Sequence, residues 1–195
     1  MNEELFEKIT DALVKDGYII IEDALRPTLV SALLETAKKG TNYKSAGISK
    51  HANLHLDTSR RSDITQWLDE DANAQSEFLA FTRKLQEYLN RALYLGLHYY
   101  EAHFALYKEG AFYEKHLDSF KHSKNRVVTT VFYLNEEWDS KSGGELLIYN
   151  EDDKLLLEVQ AKANTLVVFL SDKFPHEVVA AKRERYSIAG WFRVD

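Results

Sequence analysis

A double-stranded β-helix (jelly-roll, cupin-like) core packed against N-terminal helices is the fold class the sequence predicts, mainly β with supporting helices. Three observations predict it. Residues 1–95 space their apolar side chains three and four apart, the period of helices that bury one face. After residue 98 the period switches to two, and short β-rich runs follow one another at regular spacing. The chain has 195 residues, 45% of them hydrophobic, enough for one well-buried core and short for two. Residues 1–195 are therefore read as a single domain, with 1–97 as helical support and entrance loop and 98–195 as the jelly-roll core.

Leu5, Phe6, Ile9 and Leu13 recur at helical steps behind Asn2, a candidate N-cap, and Gly17 marks the stop. A β-rich run, "YIIIEDAL", comes next. Pro27 suits a first helical turn, where its missing N–H leaves no bond unmade, and "TLVSALLETAKK" runs on to Gly40 as a C′ stop. From 41 to 71 the pattern dissolves into polar loops. "EFLAFTRKLQEYLNRALYL" then resumes the helical period to Leu95, the third and longest helix. Eight β-rich runs follow: "AHFALYK", "YEKHLDS", "RVVTTVFYLN", "ELLIYN", "KLLLEVQ", "TLVVFLS", "HEVVAAK" and "RYSIAGWFRV". The breaks "KEG", "KSGG", "NEDD" and "SDKFP" carry turn chemistry. Eight short strands fit a double-sheet jelly roll whose interior can hold a small ligand.

Composition excludes several chemistries. With no Cys, there are no disulfides, thiolate nucleophiles or Cys-ligated metals, so any metal must sit on His, Asp or Glu. The N-terminus is acidic and amphipathic rather than a signal peptide, and no stretch is long enough to span a bilayer, so no membrane partner and a cytoplasmic location are expected. A net charge of −6 gives no field favouring a phosphate backbone, so no nucleic-acid partner is expected. The basic run "KHSKNR" at 121–126 reads as a solvated loop.

The tripeptide "HLD" occurs at 55–57 and again at 116–118. On a strand, alternate side chains share a face, so a His and an Asp two apart converge. His116 and Asp118 meet that condition. His55 and Asp57, flanked by "KHAN" and "TSRRS" without a strand period, read as loop residues. The common arrangement for non-haem Fe(II) takes two His and one carboxylate on one face, so a second His is needed from His98, His103, His122 and His176. His176 opens the seventh β run, which in a jelly roll returns beside the second. His98 and His103 have no partner at useful spacing and read as ordinary core or surface residues. Nine residues beyond His176 stands Arg185, sharing a strand face with Ser187, Ala189, Trp191 and Arg193. An Arg directed into a barrel is costly unless an anion meets it. Its planar fork matches a carboxylate at two points, so the natural guest is a dicarboxylate reaching from metal to Arg185. 2-Oxoglutarate is that molecule: its 2-oxo acid end chelates iron, and its distal carboxylate meets Arg185 and a hydroxyl such as Tyr133 or Ser187.

In this order and spacing, "GAFYEKHLDSF", "RVVTTVFYLNEEWDSKSGGELLIYN" and "TLVVFLSDKFPHEVVAAKRERYSIAGWF" resemble the catalytic domain of the Fe(II)/2-oxoglutarate prolyl hydroxylases, in the EGL-nine (HIF prolyl hydroxylase) branch with its bacterial relatives. The resemblance is strong over residues 99–193. Upstream, "RRSDITQWL" supplies Arg61, Asp63 and Trp67 in the family's R-x-D…W pattern. The resemblance implies His116, Asp118 and His176 as the iron ligands and catalytic centre, with Arg185 as the anchor of the distal carboxylate. It implies that Tyr133 bonds the same carboxylate and that Thr129 and Val131 line the cosubstrate pocket. Tyr107 resembles another pocket tyrosine, at a spacing to H-x-D that differs by one residue. Trp191 matches a Trp near the substrate entrance, and Asp63 would pair there with Arg126. One departure is Ala189, where the family often has Thr.

The activity so implied uses Fe(II), 2-oxoglutarate as cosubstrate and O2, with ascorbate a candidate reductant. It would hydroxylate an unactivated C–H of a prolyl residue in a protein and release succinate and CO2, with the polar segment 44–62 as a mobile loop closing over the substrate. A hydroxylase of a free amino acid or other small molecule is an alternative on the same scaffold. A non-catalytic sensor module binding a metal or small acid is another, against which the complete ligand set argues. A zinc hydrolase would leave Arg185 without an anion.

Overall fold

The computed structural model describes residues 2–46, 48–50, 53–55, 59–71, 73–119 and 125–195, with the side chains of 2, 48–50 and 53–55 outside the described set. The first half forms α1 (Asn2–Lys15), β1 (Tyr18–Ile21), α2 (Pro27–Lys39), β2 (Lys44–Ser45), β3 (Ile48–Lys50), β4 (Asn53–His55), β5 (Ile64–Trp67) and α3 (Asn73–Leu93). The second half forms β6 (Tyr99–Tyr107), β7 (Tyr113–His116), β8 (Arg126–Tyr133), β9 (Leu146–Tyr149), β10 (Leu155–Val159), β11 (Leu166–Leu170), β12 (His176–Val178) and β13 (Arg185–Arg193). Each of the eight expected β runs carries one of these eight strands.

A large sheet runs in the order β1-β11-β8-β13-β6-β5-β2 and faces a smaller one in the order β10-β9-β12-β7. The strands β1–β13 pair antiparallel, as hairpins and returning strands of a jelly roll require. The helices cover the outer face of the large sheet. Phe6, Ile9 and Leu13 of α1, Leu33 and Leu34 of α2, and Phe78, Leu85 and Leu89 of α3 bury against Phe104, Phe132, Ile188 and Phe192. Fully burying each such side chain stabilises the fold by about 1.5–3 kcal/mol. β13 shows the division of labour within one strand. Tyr186, Ile188 and Phe192 enter this core, while Arg185, Ser187, Ala189 and Trp191 line a cavity between the sheets.

Several expectations are corrected. The segment 41–71 is not only loop: β5 pairs with β6, β2 pairs with β5, and β3 pairs with β4. These strands are short and partly polar, and β5 is held by its neighbour β6 rather than by an alternation of its own. β1 likewise pairs with β11, so the helical half also extends the large sheet. α3 starts at Asn73, a turn before the apolar pattern begins, because buried Gln75 faces inward and accepts a hydrogen bond from the Asp69 N–H at 2.8 Å. It ends at Leu93, ahead of Tyr94, whose φ is 54°. Gly40 ends α2 without a left-handed turn, at φ −59° and ψ 130°; a Cβ there would lie 2.6 Å from Gln66 Oε1. The crowding there comes from side chains and not from the backbone conformation. Among the described residues no helix is long and apolar enough to cross a membrane.

Candidate functional site

Pairing of β12 with β7 sets His176 directly opposite His116, with ring centroids 4.3 Å apart. The alternation expected to bring Asp118 to the same point does not apply, because β7 ends at His116 and Asp118 lies in the turn beyond it. Asp118 reaches the two imidazoles nonetheless: Oδ1 is 3.7 Å from His116 Nε2, and Oδ2 is 3.5 Å from His176 Nε2. The three ligand atoms lie within 4.8 Å of one another, the one such group among the described residues.

Supporting bonds orient all three donors. His116 Nδ1 is 2.7 Å from the Glu114 carbonyl, and His176 Nδ1 is 2.9 Å from the Phe174 carbonyl. A carbonyl only accepts, so each Nδ1 carries the hydrogen and each Nε2 presents its lone pair. The Thr129 hydroxyl donates to Asp118 Oδ2 at 2.8 Å and contacts Ser171 Oγ at 2.8 Å. Burial, then the neighbouring His176, pushes the His116 pKa down, which keeps the ring neutral. Burial alone would raise Asp118, but His176, His116 and Arg126 outweigh it and hold the carboxyl below its usual range. Two imidazole nitrogens and a carboxylate are the donor set that Fe(II) takes in a facial site.

Arg185 is 1% exposed. Its Nε donates to the Gly144 carbonyl at 2.8 Å, while Nη1 and Nη2 make only long bonds of 3.4 Å to Ser187 Oγ and Tyr133 Oη. Tyr107 and Tyr133 lie beneath the guanidinium at 4.7 and 5.0 Å. Burial raises both phenol pKa values, so both remain protonated. No carboxylate among the described residues pairs with Arg185, and its outer nitrogens face the cavity that holds the triad. The residues thus fit a small diacid. Gly144 is part of this fit: at φ +68°, an added Cβ would sit 2.9 Å from Arg185 Cδ. Thr129, Val131 and Ser187 line the same cavity, of about 900 Å3, and Trp191 walls it further along.

The expected pairing of Asp63 with Arg126 is not formed. Asp63, 1% exposed, takes both prongs of Arg61 at 2.6 and 2.9 Å. The two residues stand two apart on an extended segment that bridges to Tyr113, so their side chains share a face. Arg126 instead binds Glu101 at 2.9 Å and lies 3.8 Å over the Trp191 ring. Among the described residues the buried Trp191 Nε1–H has no hydrogen-bond partner, though it lies near enough to Asp118 to favour the charged carboxylate. His103 also lines the cavity, contrary to its reading as an ordinary core or surface residue, whereas His98 is exposed. Glu101, His103, Ala105 and Tyr107 alternate along β6, and that period of two is the signal that could have placed His103 and Glu101 with Tyr107. Trp67, on β5, is 59% exposed at the rim. His55 ends β4, its side chain outside the described residues, as are Asp57, His122 and 121–124 of the basic run.

The profile of the 2OG-Fe(II) oxygenase superfamily matches residues 102–193. A Pseudomonas putida prolyl-4-hydroxylase crystal structure superposes with TM-score 0.89 at 37% identity, covering 97% of this chain and 99% of that one. A Trichoplax adhaerens prolyl hydroxylase, solved with a hypoxia-inducible factor oxygen degradation domain peptide, gives TM-score 0.86 at 25% identity over 98% and 90% of the two chains. The Caenorhabditis elegans hypoxia-inducible factor prolyl hydroxylase is 38% identical over 85 residues, 43% of this chain and 12% of that protein's length. The chain belongs to the 2OG-Fe(II) oxygenase superfamily, and its match spans between 12% and 25% of the length of the first curated relatives it resembles.

Proposed function

We propose that this chain is, over residues 1–195 as one domain, a dioxygenase that hydroxylates a prolyl residue in a polypeptide. The observation that carries this reading is the pairing of a complete His116, Asp118 and His176 triad with a buried, carboxylate-free Arg185 on the same cavity. His116, Asp118 and His176 would hold Fe(II). Arg185, Tyr133 and Ser187 would hold the distal carboxylate of 2-oxoglutarate, with Thr129, Val131 and Tyr107 around it. When bound, these groups and O2 supply the oxidation: 2-oxoglutarate is decarboxylated to succinate and CO2, one oxygen atom enters succinate, and the other enters the substrate C–H as hydroxyl.

The protein's own part is orientation and shelter. The backbone carbonyls of Glu114 and Phe174 fix the imidazoles, Thr129 fixes the carboxylate, and the low pKa of His116 keeps its donor free of a proton. The two buried phenols keep their hydrogens and can donate to a carboxylate rather than repel it. A cavity of about 900 Å3 has room beyond a small diacid for a segment of chain. The Trichoplax relative, solved in complex with a peptide, supports a polypeptide as the substrate class.

Anaerobic addition of Fe(II) and 2-oxoglutarate tests the reading. A weak visible charge-transfer band is expected in the wild type, diminished in Arg185→Ala, together with oxidation of prolyl peptides when O2 is admitted. Iron-loaded, folded protein without that band would sink the oxygenase reading.

A further inference from the structure

The polar side chains on the cavity wall beyond the triad and Arg185 fall into two kinds. The buried and half-buried charged ones satisfy one another: Arg61 with Asp63, and Arg126 and Arg193 with Glu101. Among the described residues, the other charged groups on that wall, Lys44 and Asp69, are exposed rather than buried. Two neutral ones keep spare hydrogen-bonding capacity: the Trp191 Nε1–H, which has no partner among the described residues, and the His103 ring. His103 is 5% exposed and makes a single hydrogen bond among the described residues, from Nδ1 to the Phe104 carbonyl at 3.2 Å. Because the carbonyl only accepts, the ring hydrogen is on Nδ1, and Nε2 keeps a bare lone pair. Burial, then the nearby Arg61, pushes the His103 pKa down to about 4 against the opposing charge of Asp63, so the acceptor persists at neutral pH.

Two indoles frame this acceptor. Trp67 stands edge-on at 5.3 Å and is 59% exposed at the rim, while Trp191 is tilted at 5.4 Å toward the triad side. A ligand running from the rim to the metal site therefore passes apolar ring faces with one hydrogen-bond acceptor between them.

Resting on the prolyl reading above, we propose that His103 Nε2 accepts a hydrogen bond from a backbone amide N–H of the substrate, on a residue flanking the target proline. Proline itself has no N–H, so the donor must be a neighbour. A neutral acceptor amid paired charges selects an uncharged, amide-flanked proline over a free amino acid. His103 is thus a specificity-determining residue.

The test uses full-length enzyme with Fe(II), 2-oxoglutarate and an array of capped 15-residue peptides, each with one central proline, read by the mass gain of one oxygen. With the best peptide, His103→Phe should raise the peptide KM about fivefold to tenfold, the scale of one neutral hydrogen bond, and leave the 2-oxoglutarate KM and the visible band unchanged. His103→Gln, which keeps an acceptor, should recover most of the loss. N-methylating the contacted amide should weaken the wild type by the same factor and His103→Phe no further. A wild-type peptide KM in His103→Phe, or N-methylation losses that add to the substitution, would overturn the proposal. Hydroxylation of free L-proline with no peptide modified would instead overturn the prolyl-peptide reading beneath it.

Discussion

Tyr113 lies flat on His116, ring centroids 3.6 Å apart and planes 17° from parallel. On the far side of Tyr113 sits the Arg61 guanidinium at 4.3 Å, itself gripped by Asp63. The segment carrying Arg61 is bonded to β7 from both ends, Ser62 N–H to the Phe112 carbonyl at 3.1 Å and Glu114 N–H to the Arg60 carbonyl at 2.8 Å. Rim element and metal donor thus form one column.

Breaking the column should loosen the metal. Aromatic pairs contribute about 0.5–1.5 kcal/mol beyond burial, so Tyr113→Leu should weaken Fe(II) or Mn(II) binding several-fold, while Tyr113→Phe, which keeps the stack, stays near wild type. Metal titration followed by calorimetry separates this from lost substrate binding; equal affinities in Leu and Phe variants would show that the stack does not orient His116.

Arg185 should be irreplaceable by charge alone. Arg185→Lys keeps a cation but loses the two-point fork and the bond to the Gly144 carbonyl. Charge-assisted bonds are worth about 1.5–3 kcal/mol each, so the 2-oxoglutarate KM should rise at least about a hundredfold, with metal affinity unchanged. Steady-state kinetics at varied 2-oxoglutarate measures it.

His103 should make the metal-free protein acid-sensitive. Its folded pKa, near 4, lies below the unfolded value of about 6.5, so the unfolded chain binds the extra proton first. Its neutral state therefore costs the fold nothing above pH 6.5 and progressively more as pH falls from there toward 4, on the order of 2 kcal/mol by pH 5. His116 acts in the same direction. Urea unfolding at pH 5 and 7.5 should show a smaller stability drop in His103→Phe than in the wild type.

Much of this was legible because period and residue type agreed. His116, Asp118, His176 and Arg185 stand out in a chain without Cys, and the eight strands announce themselves by alternation between turn residues. What stayed hidden depends on partners distant in sequence. β5 is a strand because β6 is beside it, and Gln75 is buried because the Asp69 N–H needs an acceptor. "AHFALYK" reads as a mostly apolar run, which masks that its alternate members His103, Ala105 and Tyr107, with Glu101 just before it, all line the cavity. Asp63 pairs with Arg61, two residues away on the same side of an extended backbone, and not with the distant Arg126 that the family pattern points to.

Glu101 gives the last expectation, since the fold makes one carboxylate serve two cations. Its Oε1 accepts from Arg126 at 2.9 and 3.1 Å and from Arg193 at 3.0 Å, and so holds Arg126 over the Trp191 ring. Glu101→Gln removes the charge while keeping the shape, which leaves Arg126 without its carboxylate beside an Arg193 still held by Asp195 at 2.8 and 2.6 Å, and frees Arg126 from the indole. A partly buried pair of this kind is worth about 1–3 kcal/mol. The peptide KM should therefore rise while the 2-oxoglutarate KM holds, because Arg185 lies elsewhere on the cavity. Arg126→Met, which keeps apolar cover on Trp191 and removes one of the competing cations, should restore stability to Glu101→Gln without restoring the peptide KM. Thermal unfolding and peptide kinetics on the two variants and their combination read both quantities, and a double variant that regains the peptide KM would mean that Arg126 serves only to balance charge.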